Sequence, residues 1–69
     1  MKLSARNQFK GIVKSITTGA VNSEVHIELA DGLVISSIIT NGAVENLGLT
    51  VGQPAFAVIK ATDVLIGIE

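Results

Sequence analysis

The chain has no cysteine, no tryptophan, no tyrosine and a single histidine in 69 residues. Without cysteine there is no disulfide and no thiolate nucleophile, and one histidine, His26, does not make a metal site. Two phenylalanines are the only aromatics and the formal charge is −1. The stacking platforms and basic field of a nucleic-acid-binding barrel are therefore missing. No apolar run is long enough to cross a bilayer, and Met1-Lys2 leads straight into polar residues without a secretory hydrophobic segment, so the expected location is the cytoplasm. No Ser-His-acid grouping sits in a recognisable turn, which argues against an enzyme.

What is present is aliphatic. Hydrophobic residues make up 48% of the chain, mostly Val, Ile, Leu and Ala, a composition that favours a pleated sheet. Residues 1–69 form one domain, and one this small buries too little surface to be comfortably stable alone. With disulfides and metals closed as routes, the expectation is a homo-oligomer that hides apolar side chains between subunits.

Leu3 to Ile16 reads as one long strand, or two joined at Gly11, with Gly11 marking a bend or bulge. Thr17-Thr18-Gly19 reads as a turn. Val25, Ile27 and Leu29 then alternate with Glu24, His26 and Glu28, the period-two pattern of a strand with one buried and one wet face. Asp31-Gly32 signals a hairpin, and the near-continuous apolar run from Leu33 to Ile39 predicts a partner strand buried on both faces. Thr40 or Asn41 starts a helix of one to two turns carrying Ala43, Val44 and Leu47, which Gly48 ends. After a turn at Thr50 to Pro54, Ala55 to Lys60 and Val64 to Ile68 read as closing strands separated by Ala61-Thr62-Asp63. The result is an all-β fold, a small five-stranded barrel of the oligonucleotide/oligosaccharide-binding (OB) type with one short helix.

The basic residues are unevenly placed: Lys2, Arg6, Lys10 and Lys14 fall in the first fourteen residues, and only Lys60 lies elsewhere. A tetrahedral dianion in water needs convergent donors and few nearby carboxylates, and three clusters meet that test. Arg6 offers a fork of five N–H groups, with Ser4 two residues away on the same face of an extended chain. Lys60 stands with Ala61 and Thr62 where the chain leaves a strand. Thr40, Asn41, Gly42 and Ala43 stand at a helix start, whose free N–H groups and dipole favour an anion. Each cluster has another reading. A polar N-terminal strand also protects an exposed sheet edge, Lys60 fits a solvated strand end, Thr40 and Asn41 fit simple caps, and Thr62-Asp63 fits a turn.

Leu3-Ser4-Ala5-Arg6-Asn7-Gln8-Phe9-Lys10-Gly11 resembles the opening signature of the Mop domain, the unit of the molbindins. The similarity continues through Ala20-Val21-Asn22-Ser23-Glu24-Val25, Ala30-Asp31-Gly32, Ser37-Ile38-Ile39-Thr40 and Leu47-Gly48-Leu49, and ends in Val58-Ile59-Lys60-Ala61-Thr62-Asp63-Val64. It covers nearly the whole chain. The resemblance implies a non-enzymatic protein without cofactor that binds molybdate or tungstate for storage or homeostasis. It assigns residues matching Ser4, Arg6, Thr40 and Lys60, and the backbone around Ala43 and Ala61, to oxyanion sites where subunits meet. Ala43 stands where relatives carry a hydroxyl, so only a backbone contact is expected there. A second site near a symmetry axis is expected around Gly19, Ala20, Val21 and Asn22, where Gly19 would present backbone N–H groups, although an ordinary turn explains these residues equally well. The implied assembly is a hexamer, a trimer of dimers, with the N-terminal strand exchanged between partners so that Arg6 reaches a neighbour's Lys60. Relatives of the domain also occur fused to transcription regulators and transporter ATPases, so a regulatory interaction module is the alternative, beside an OB-type nucleic-acid binder.

Overall fold

The computed structural model describes residues 1–69. The alternation read in the sequence sets the middle strand. In β2 (Asn22–Glu28), Ser23, Val25 and Ile27 face inward and are buried, while Glu24, His26 and Glu28 face out. β2 lies between β1 (Asn7–Thr18) and β3 (Val34–Thr40), antiparallel to both. A helix, α1 (Asn41–Leu47), follows β3 without a break, and β4 (Pro54–Ile59) returns to pair with the first half of β1. The sheet order is β3-β2-β1-β4.

β1 curls this sheet. Its residues 7–12 pair with β4 and residues 12–18 pair with β2, so the two ladders overlap only at Ile12. Just beyond the overlap the register slips between Val13 and Ser15, leaving Lys14 without an opposite residue. A bulge of this kind bends the strand and tightens its twist. The bend thus falls at Lys14, three residues after the glycine expected to mark it. Gly11 sits inside the β1–β4 ladder opposite Ala55, and it is glycine because the backbone of Glu28 passes too close for a Cβ. Lys14, freed from the ladder, pairs with Glu28 at 3.4 Å.

The curled sheet is a half-barrel. Val13, Val25 and Ile27 form its fully buried core, and Ile16, Leu29, Ile39, Val44, Leu49 and Ala55 pack around them. The Asp31-Gly32 hairpin forms as read, closed by Leu29 N–H donating to Leu33 O at 2.7 Å. β3 departs from the reading: it is half-covered on one face and exposed on the other, with Ile38 69% accessible.

The fifth strand is absent. β4 ends at Ile59, a single 3-10 turn covers Ala61–Asp63, and residues 64–69 carry no regular structure. Leu65, Ile66 and Ile68 stand 90%, 88% and 94% exposed. An isolated strand needs a neighbour's backbone to hold it, and this segment finds none within its own chain. The sheet therefore stays open, with β3 and β4 as edges. Within its own chain β1 pairs with β4 over residues 7–12 and with β2 over residues 12–18, whereas the segment after Asp63 pairs with no strand. No helix is long and apolar enough to cross a membrane.

Candidate functional site

The regular part of β1 begins at Asn7, four residues later than the pattern indicated. Gln8 Nε2 reaches back to donate to Ala5 O at 2.6 Å and folds residues 4–6 into a bend. Such a local side-chain bond competes with the ladder for the backbone. Ser4 and Arg6 therefore lie on a bend, both exposed, and do not share the face of an extended strand.

The ladder brings Arg6 and Lys60 to one place. Asn7 pairs with Ile59, so Arg6 and Lys60 are the first residues beyond the same end of the β1–β4 ladder, within one chain. Neither has a carboxylate partner: the ion pairs of the molecule are Lys14 with Glu28 and His26 with Glu24. In the turn that follows, Asp63 N–H donates to Lys60 O at 2.9 Å and Val64 N–H to Ala61 O at 3.3 Å, while no turn or cap bond uses the amides of Ala61 or Thr62. Arg6 and Lys60 thus follow one ladder end, with exposed Ser4 two residues before Arg6 and the unspent Ala61 and Thr62 amides just after Lys60.

Thr40 ends β3 opposite Asn22 and caps α1. Its Oγ1 accepts from Ala43 N–H at 3.0 Å. The Ala43 amide is therefore already engaged by the cap, whereas the Thr40 hydroxyl keeps its own proton to donate. The neighbouring β1–β2 turn is also partly spent. Gly19 N–H donates inward to Asn22 O at 2.8 Å, and a Cβ on Gly19 would lie 2.6 Å from that oxygen. Gly19 therefore closes the turn and does not present its N–H outward. Ala20 and Val21 are exposed, and their amides take part in no turn bond.

Ser23 is a residue to which the sequence reading gave no role, and Asn41, read as a helix start and a candidate donor, has a different one. Ser23, 1% exposed, donates its hydroxyl to Asn41 Oδ1 at 2.6 Å, and Asn41 Nδ2 donates to Gly19 O at 3.0 Å. The signal was present: Ser23 shares the inward face of Val25 and Ile27, and a hydroxyl on a core face requires a partner.

The two groups stand at opposite ends of β1. Ser4, Arg6, Lys60 and Ala61 lie beyond its start, and Thr40, Ala43 and residues 19–22 lie beyond its end, separated by twelve strand residues, on the order of 40 Å of chain contour at about 3.3 Å per residue. One chain does not bring them together. No group of acidic and histidine side chains is arranged to hold a metal ion. His26 bonds to Glu24 on the outer face and makes no bond to Ser15 or Ser36, its cross-strand neighbours. His26 thus has no serine hydroxyl within its hydrogen bonds to activate. The arrangement is suited to binding an anion.

Known proteins share this fold. A family model described as the TOBE domain matches residues 3–66. Over all 69 residues, and all of the relative, the chain is 54% identical to a Haemophilus influenzae protein named "Probable molybdenum-pterin-binding protein". MopII from Clostridium pasteurianum superposes with a TM-score of 0.92 at 46% identity, covering 97% of this chain and 100% of that one. The cytoplasmic molybdate-binding protein ModG, in a form with molybdate bound, superposes with a TM-score of 0.96 at 51% identity, covering 100% of this chain and 49% of the ModG chain.

Proposed function

Because the chain belongs to the TOBE domain family and, within it, to the molbindins, we propose that it is an intracellular, non-enzymatic protein that holds molybdate, and tungstate by the same contacts, for storage or homeostasis. The observation that carries this reading is the position of Arg6 and Lys60, two cations without carboxylate partners beyond one ladder end. Charge-assisted hydrogen bonds from these groups hold the oxyanion, and the Ser4 hydroxyl and the Ala61 amide shape its surroundings. The Thr40 hydroxyl, which keeps its own proton while accepting from the Ala43 amide, supplies the remaining donor. Because Thr40 lies at the far end of β1, it comes from a second subunit, and each site is shared between chains. Ala20 and Val21, with Gly19 and Asn22 closing the turn around them, present a second, smaller donor group at a symmetry axis of the assembly. Sulfate has the charge and shape of molybdate, so discrimination rests on the size of the pocket.

The assembly is a hexamer, a trimer of dimers. Its dimer is formed by exchange of the C-terminal segment, whose apolar residues 64–68 have no partner at home and fit the open edges and concave apolar face of a neighbouring half-barrel. The relatives named for molybdenum binding and ModG with molybdate bound support the ligand. The test is calorimetric titration of wild type and Arg6→Ala with molybdate, with sulfate as control and native mass spectrometry as the check on assembly. Loss of a charge-assisted bond worth about 1.5–3 kcal/mol weakens binding more than tenfold, with the hexamer mass unchanged. An Arg6→Ala protein that binds molybdate as tightly as wild type overturns the reading.

A further inference from the structure

The alternation of the β1–β4 ladder fixes which atoms its next rung would use. Val13 N–H donates to Gln53 O at 2.9 Å, and Ile12 stands opposite Pro54, which has no N–H. In an antiparallel pair, opposed residues that exchange N–H···O bonds alternate with opposed residues that do not. Counting back from Val13, the bonded positions are Gly11 with Ala55, Phe9 with Ala57 and Asn7 with Ile59. One more rung in the same register would set Ala5 against Ala61, and the Ala61 N–H would donate to Ala5 O. On the β4 side Lys60 is still extended, with φ −62° and ψ 136°, so the Ala61 amide keeps strand geometry. Yet Ala5 O is taken by another donor. Gln8 Nε2 reaches it at 2.6 Å, and the chain leaves the strand.

We propose that Gln8 is a positioning residue for the oxyanion site: it ends the ladder at Asn7 by occupying Ala5 O, and so leaves the Ala61 amide free to donate to the anion. The skipped rung would also bring Arg6 directly opposite Lys60, where like charges disfavour each other. Both residues are exposed, so salt screens that repulsion. Charge alone therefore does not keep the strand from running on, and the Gln8 bond does. This rests on the oxyanion reading above, in which the Ala61 amide borders the ligand. The device needs a donor with the reach of Gln8. A side chain of equal length without one leaves Ala5 O to Ala61.

The experiment is amide hydrogen exchange at Ala61 in the ligand-free protein, together with calorimetric titration of molybdate, on wild type, Gln8→Met and Gln8→Lys. Methionine keeps the length of the side chain and has no N–H, whereas the lysine ammonium reaches the same carbonyl. Gln8 is exposed, so neither variant disturbs the core. In Gln8→Met the rung closes. Exchange at Ala61 slows about fivefold and molybdate affinity falls about fivefold, the change that one ordinary hydrogen bond makes. Gln8→Lys keeps wild-type exchange at Ala61. A merely structural role for Gln8 has the opposite sign, because a loosened chain end exchanges faster. Exchange at Ala61 that is unchanged or faster in Gln8→Met overturns the proposal, as does slower exchange with unchanged molybdate affinity. A wild type that binds no molybdate removes the function proposed above and the ligand half of this proposal. Slower exchange at Ala61 in Gln8→Met then still establishes Gln8 as the stop of the ladder, and unchanged exchange removes that as well.

Discussion

At Gly11 a methyl group would lie 2.5 Å from the Glu28 carbonyl oxygen and 2.7 Å from Ile27 Cγ2. The first of these atoms is backbone and part of a ladder, so it does not swing aside. Gly11→Ala is expected to destabilise the protein by about 1–3 kcal/mol, the cost of overpacking a filled site. The check is a denaturant midpoint compared with wild type at fixed protomer concentration. Individual residues were the least legible part of the sequence. Gly11 was visible as special, but as a bend, because the sequence does not show which backbone passes beside it. The donor types at Ser4, Arg6, Thr40 and Lys60 were visible for their chemistry. Arg6 was expected to reach a neighbour's Lys60. Within one chain the ladder that ends with Asn7 opposite Ile59 already puts both residues beyond the same end, and the Gln8–Ala5 bond takes Ser4 and Arg6 off the strand. Asn41 was visible as a helix start and a candidate donor; its bonds to Ser23 and Gly19 were not, because they join stretches distant in sequence.

Among the elements, α1 depends most on one residue. It is seven residues long, none of them buried, with no acidic residue in its first turn and no basic residue in its last. A helix of this length does not persist on propensity alone, so the Thr40 cap and the Asn41 contacts hold its start. Thr40→Ala is expected to cost about 1 kcal/mol and to raise amide exchange at Ala43, whereas Thr40→Ser, which keeps the acceptor, leaves both near wild type. Equal exchange in the two variants would remove the cap from this account. Where local pattern decides an element, the sequence was sufficient: the alternation in β2, the Asp31-Gly32 hairpin, the helix after Thr40 and its end at Gly48 all form. Where an element depends on distant backbone it was not. Residues 64–68 carry a strand's composition, yet a strand requires a partner.

For the whole molecule the deciding feature is that C-terminal segment. Under the exchanged-dimer reading, ending the chain after Asp63 removes the segment that crosses between partners. The expected outcome is loss of the hexamer in native mass spectrometry and a thermal midpoint well below that of wild type at equal protomer concentration. A truncated protein that still assembles would assign the interface elsewhere. The exposed tail also changes what the amount of protein means. A fold completed only by another copy has a stability that rises with its own concentration, and anion sites divided between subunits appear only once assembly has occurred. On the shared-site reading proposed above, uptake capacity does not scale with copy number from zero. It begins at a threshold of assembly, below which a cell making a little of this chain would store no anion and above which capacity would rise steeply.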